Sequence, residues 1–276
     1  MIRTEARPDQ VTPPDPHRAR PRHPGVDALR GLGVALMVAH HFLWDLDHFG
    51  LYPLPLEAPA WQAFARSVGS LFLFTSGLAL AVSSSRFSRG TGGYRIAWRR
   101  SARRGMILLL WAGVISAVTR LVVPEAWVRF GILHLLGVVK IIAPATLPLG
   151  RGNLGIGVAL YGLGLALALL PGRLSMPWVL MVGPDGAGLV MVDHYPLLPW
   201  SGAVWLGMGV GAALVRARER SWDRSATERD RPRPRVESGK FLRMRDAMAW
   251  LGRHSLVIYL LHQPVLWGLL RGLAAR

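Results

Sequence analysis

"GMILLLWAGVISAV" at residues 105–118 and "GIGVALYGLGLALALL" at residues 155–170 contain no charged side chain. With its flanks, each reaches the length of about 20 residues that an α-helix needs to cross a bilayer. The chain has 276 residues and is 51% hydrophobic, a fraction that a soluble domain can also reach. The arrangement decides the class, because the apolar residues come in blocks, too many for one signal peptide or one anchor. Seven spans are expected, at roughly 28–47, 62–84, 105–123, 130–149, 153–171, 195–215 and 252–272. The expected fold is therefore all-α, a polytopic transmembrane bundle. Residues 174–192 are apolar but broken by Pro177, Gly183, Pro184 and Gly186, and read equally as a span, a re-entrant segment or a loop.

The net charge of +17 does not point to nucleic acid, because it is not gathered on one soluble face. The arginines lie between apolar blocks, in "RARPRH" at 18–23, "RIAWRRSARR" at 95–104 and "RARERSWDRSATERDRPRPRVESGK" at 216–240. Residues 48–60 carry no Lys or Arg, and residues 171–194 carry only Arg173. Alternation of basic and neutral loops places the N-terminus in the cytoplasm. Residues 1–25 read as a disordered basic tail, not a cleavable signal, followed by one membrane domain over 26–276. The mixed-charge stretch at about 216–250 reads as a flexible cytoplasmic loop. With no cysteine, disulfides and thiolate chemistry are excluded. There is no internal repeat, nucleotide-binding glycine loop, nucleophile elbow or HExxH.

The first span, "VDALRGLGVALMVAHHFLWDLDHFG" at 26–50, is the most polar. Ionisable groups inside a span cost a few kcal/mol each on insertion scales and seldom sit there without a use. At 100° per residue, Asp27, Arg30, His41, Asp45 and His48 share one stripe, while His40 and Asp47 point elsewhere. Arg30 and His41 are about 16 Å apart along the axis. Asp27 and Arg30 would lie near the cytoplasmic face, where Arg30 could hold a phosphate or carbonyl. His41, Asp45 and His48 would lie near the outer face, where Asp45 could orient His41 as a general base. The plainer reading is an Asp27–Arg30 ion pair and a His41 bonded to a neighbouring helix. A metal is a third use of His40, His41, Asp45 and His48, but no spacing here is diagnostic and none is expected.

Further polar positions lie on later spans. His134 opens the fourth span near the outer face and serves as either catalyst or packing partner. Lys140, deeper in it, reads as a snorkelling or lipid-contacting cation. Asp193 and His194 precede the sixth span, where they would line an acceptor site or build a turn. Ser255, Tyr259 and His262 share a face of the last span.

Together, "VDALRGLGVALMVAHHFLWDL", "FLFTSGLALAVSSS", "FGILHLLGV", "DHYPLLPW" and "LGRHSLVIYLLHQPVL" resemble the bacterial branch of the heparan-α-glucosaminide N-acetyltransferase catalytic domain family, in order over most of 26–149 and 193–268. The Arg30-x10-His41 spacing is also similar to the wider membrane acyltransferase superfamily that includes acyltransferase-3 proteins. The resemblance implies a multi-pass enzyme of the bacterial inner membrane. Such an enzyme moves an acetyl or acyl group from cytoplasmic acyl-CoA, its donor substrate, to an amine or hydroxyl of a sugar or glycan at the outer face. It implies no bound cofactor. Arg30 and Asp27 would serve the donor, and His41, Asp45, His48 and His134 the chemistry. Asp193, His194 and His262 would line the acceptor side. The lysosomal enzymes carry Asn at the position of His41 and their catalytic His in the following loop, where this chain has His48 at another spacing, so both histidines stay candidates. The chain is also shorter than the animal enzymes, and a partner or homodimer is one way to close its site. A proton-coupled transporter would use intramembrane Asp, His and Arg too, but such folds usually show two related halves. A structural scaffold would leave the stripe unexplained.

Overall fold

The computed structural model describes residues 23–85, 92–169, 191–227 and 239–274, and among them all regular structure is helical. Among these residues eight α-helices follow one another. They are α1 (Pro24–His48), α2 (Pro59–Ser84), α3 (Gly93–Val122), α4 (Ile132–Ile142), α5 (Asn153–Leu169), α6 (Leu197–Thr227), α7 (Gly239–Arg253) and α8 (Ser255–Ala274). A 3-10 segment, Ala143–Gly152, joins α4 to α5.

Among the described residues six segments are long and apolar enough to cross a membrane, and one of them runs from Ile132 to Leu169. As a single helix its 38 residues would reach about 57 Å, nearly twice the hydrocarbon thickness of a bilayer. Gly150 breaks it, with φ 55° and ψ −114°, a left-handed backbone that favours glycine. Pro144 and Pro148 precede it and remove amide donors, so the fourth expected span tightens into 3-10 geometry instead of running as α-helix to residue 149. The two halves account for the fourth and fifth spans.

The outer surface confirms the solvent. Leu121 is 84% exposed, Leu169 75% and Leu110 69%, which water would penalise and lipid does not. The core instead gathers Leu73 of α2, Leu135 and Val139 of α4, and Met208 of α6. Backbones touch where side chains are missing. A Cβ on Gly77 of α2 would strike the Val204 carbonyl of α6, and one on Gly207 of α6 would strike the Phe74 carbonyl of α2. The same device joins α1 to α7, where a Cβ on Gly31 would meet the Met248 carbonyl and one on Gly252 the Asp27 carbonyl.

One expectation needs correction, and another is extended. The third span, expected at 105–123, lies within a longer helix that begins at Gly93, its arginine-rich approach continuing the same axis. The stretch at 216–250 is helical at both described ends, as the last turns of α6 and as α7. Charge there marks the outer face of a packed helix: Ala249 is buried to 1% while Arg243 and Asp246 are exposed. The expectations for residues 1–22, for most of 174–192 and for 228–238 fall outside the described residues.

Candidate active site: two polar centres on one helix

The first centre surrounds the start of α1. Arg30 lies 3.7 Å from Asp27, so the i, i+3 ion pair is present. Arg30 also lines a cavity of about 210 Å³ together with Arg100, Arg104 and Lys140, and with Ser83, Ser84 and Ser101. None of the residues lining it is acidic. Four cations around one small space repel one another and favour an anion between them. Lys140 does not snorkel into lipid as expected. Its Nζ donates to Ser76 Oγ at 2.9 Å, and its backbone carbonyl accepts from Ser101 Oγ at 2.7 Å. The cause is the fit of α3 on α4, where Gly105 lies against Gly137 and turns the Lys140 face inward. Arg100 and Arg104, read from the sequence only as topology charges, are additions to the site. Their signal was the row Gly93, Ala97, Ser101 and Gly105, small residues every four positions that mark the buried face of α3.

The second centre lies at the other end of α1, where α8 packs against it. His41 Nδ1 is 2.9 Å from the Met37 carbonyl and 3.3 Å from His262 Nε2. His262 Nδ1 is in turn 2.8 Å from the Tyr259 carbonyl and 3.1 Å from that of Ile258. A carbonyl only accepts, so both Nδ1 atoms carry hydrogen when the rings are neutral. His262 Nε2 is then a lone pair facing the His41 Nδ1–H, and His41 Nε2 is the ring's unprotonated nitrogen. The two rings meet edge to face with centroids 4.9 Å apart.

Asp45 does not orient His41 as expected from the stripe. It is fully buried, and its Oδ1 accepts from Gln263 Nε2 and from Trp267 Nε1, each at 3.1 Å. Two donors on α8 draw the carboxylate away from the histidine one turn back. Asp45 Oδ2 and Gln263 Oε1 are buried without a hydrogen-bond partner. Gln263 belongs to the polar patch of Tyr, His and Gln that the sequence places on the last span, and Trp267 is an addition to it.

The other candidates separate. His48 stacks between Trp44 and Trp267, at 4.9 and 5.4 Å between centroids. His40 stacks on Trp61 at 5.2 Å. Among the described residues no group of three or more His, Asp or Glu is placed to hold a metal ion. His134 is taken up by structure: its Nδ1 accepts from Gly131 N–H at 3.2 Å, and its Nε2 is 3.4 Å from Ser116 Oγ. Asp193 ties three elements together. Its Oδ2 accepts from Ile132 N–H at the start of α4, at 3.1 Å, and from Tyr259 Oη of α8, at 3.2 Å. Loss of solvent pushes the Asp193 carboxyl up to about 6 despite these two bonds. The same burial, with the Asp193 charge beside it, raises the Tyr195 phenol. His194 is half-buried in that loop. Tyr259 is one turn from His262 and supplies its carbonyl partner, so Asp193 is linked to the histidine pair while His134 and His48 are not.

The family model described as heparan-alpha-glucosaminide N-acetyltransferase, catalytic, matches residues 22–264. That span takes in every residue of both centres except Trp267. Comparisons with characterised proteins and with solved structures returned no match. On the match over most of its length, the chain belongs to the heparan-alpha-glucosaminide N-acetyltransferase catalytic family.

Proposed function

We propose that this membrane protein transfers an acetyl or acyl group from cytoplasmic acyl-CoA to an amine or hydroxyl of a sugar or glycan at the outer face of the bacterial inner membrane. The observation that carries the reading is the placement of two unlike centres on α1, one cationic and one a neutral histidine pair, with Arg30 and His41 about 16 Å apart along the helix. The phosphates of the donor suit the cavity of Arg30, Arg100, Arg104 and Lys140. Its extended thiol arm then reaches toward His41. The alternation of basic and neutral loops supports the direction, with the cavity inward.

In the transfer, His41 Nε2 takes the proton from the acceptor N–H or O–H. The acceptor lone pair forms a bond to the thioester carbonyl carbon, the carbon–sulfur bond breaks, and the thiolate leaves to be protonated by solvent. The imidazolium formed on His41 is stabilised through its Nδ1–H, which faces both the Met37 carbonyl and His262 Nε2. His262 thus takes the part expected of Asp45. The same atoms serve a two-step route: His41 Nε2 bonds to the carbonyl carbon, the thiolate leaves and takes a proton from solvent, and the Nδ1 proton passes to His262. The acceptor then bonds to the carbonyl carbon, the Nε2–carbon bond breaks, His262 returns its proton to His41, and the acceptor's proton goes to solvent.

The test is transfer of label from [acetyl-14C]acetyl-CoA to membrane glycolipid or glycan in proteoliposomes. Label is expected in an outer-face product with the wild type and not with His41→Ala. Full transfer by His41→Ala would remove His41 from its role. A short quench that traps label on the protein of the wild type selects the two-step route.

A further inference from the structure

Two arginines stand apart from both centres and from the alternation of loop charge. Arg120 lies in the last turn of α3, and Arg129 lies in the loop between α3 and α4, a loop that the alternation would leave neutral. Both guanidinium groups lie over the ring of Trp127, 5.2 Å and 4.8 Å from its centroid, so the two charges are within about 10 Å of each other. An indole face offsets part of the repulsion but does not neutralise two cations. Among the described residues neither arginine has a carboxylate at ion-pair distance, although Glu125 is close in sequence. Arg129 Nη1 is buried without a hydrogen-bond partner.

The loop that holds them is built, not loose. Val128 N–H donates to Thr119 Oγ1 at 3.1 Å, and Ser116 Oγ donates to the Val128 carbonyl at 2.6 Å. Val192 N–H donates to the Ala126 carbonyl and Tyr195 N–H to that of Phe130, at 2.9 and 3.0 Å. Val128 and Phe130 are buried to 2% and 5%, which leaves the alternate residues Trp127 and Arg129 to the other side. The paired segment includes Asp193, bonded to Tyr259 one turn from His262, so the arginines belong to the histidine end of the bundle.

We propose that Arg120, Trp127 and Arg129 form a second anion site, distinct from the cavity at Arg30, that takes a phosphate-type oxyanion at the histidine end. Each guanidinium offers a planar fork of donors that can hold such a group, and the two supply the charge the site lacks an opposite for. The site stands whether or not the acyl-transfer reading holds. Its ligand is either a soluble phosphate ester or the phosphate of a lipid headgroup in the adjoining leaflet.

The test uses iodide quenching of Trp127, read on the full chain in uncharged detergent as the difference between the wild type and Trp127→Phe. The difference isolates this site from the Arg30 cavity. Inorganic phosphate, at ionic strength matched with chloride, is expected to protect Trp127, with the protecting concentration raised about tenfold in Arg129→Gln. Arg129→Lys, which keeps the charge and loses the fork, is expected to fall between. Protection only by phosphatidylglycerol in nanodiscs, and lost in Arg129→Gln, assigns the site to lipid. Protection by neither probe, or protection equal in Arg129→Gln and the wild type, overturns the proposal.

Discussion

The two ends of α1 solve opposite electrostatic problems with the same kind of helix. At the start, Arg30 pairs with Asp27 and joins Arg100, Arg104 and Lys140 around a cavity whose lining residues include no acidic side chain. At the far end, His41 pairs with His262 while Asp45 is held separately by Gln263 and Trp267, so each group is bonded from α8. An open set of cations suits a charged, exchangeable ligand. A closed network fixes tautomers and aims a lone pair. On the proposed function, the difference assigns binding to one end and chemistry to the other, and each end then moves a different measured constant.

The largest effect is expected at the closed end. His41→Ala should lower kcat for acyl transfer by about 10²- to 10⁴-fold, the range of a lost general base, with little change in the KM for acyl-CoA. His262→Ala should cost less, and the His41→Ala/His262→Ala double variant should be no slower than His41→Ala alone, because His262 acts through His41. Additive losses would show that His262 has its own contact with the substrate. At the open end, Arg104→Gln should raise the KM for acyl-CoA about tenfold with kcat nearly unchanged. A fall in kcat alone would break the division between the two ends.

The smallest effect concerns Asp193, whose folded carboxyl titrates near 6 against an ordinary value of about 4. The folded state therefore binds the proton more tightly than the unfolded state, and stability falls as pH rises from about 4 to 6, then levels. Asp193→Asn keeps an acceptor for Ile132 N–H and Tyr259 Oη. The thermal midpoint of the wild type, relative to Asp193→Asn, should fall across that window in detergent. A flat difference would remove Asp193 from the linkage.

The helical class and the membrane setting were legible because blocks of Leu, Ile and Val answer to solvent alone. Arg30 and His41 were legible because a helix fixes 100° per residue, so spacing becomes direction. Asp45 shows where that stops. Its place on the stripe was right, but its bonds go to Gln263 and Trp267, more than 200 residues away, and spacing along one helix cannot report which neighbour arrives. Lys140, Arg100 and Arg104 were hidden for the same reason. A cation near a helix end looks alike whether it faces lipid, water or a cavity, and only the Gly105–Gly137 approach of α3 to α4 decides it. The helical ends of the linker expected at 216–250 were not legible, because a polar composition that cannot build a core can still line one face of a helix on α1.

His41 meets a partner 221 residues later in the chain, and Asp45 meets partners 218 and 222 residues later. At about 5–20 residues per second of synthesis, α1 waits roughly 10–45 s for α8. During that interval a carboxylate destined for full burial has neither Gln263 nor Trp267 to hold it. The order of synthesis therefore leaves His41 without His262, and Asp45 without Gln263 and Trp267, until nearly all of the described chain has emerged.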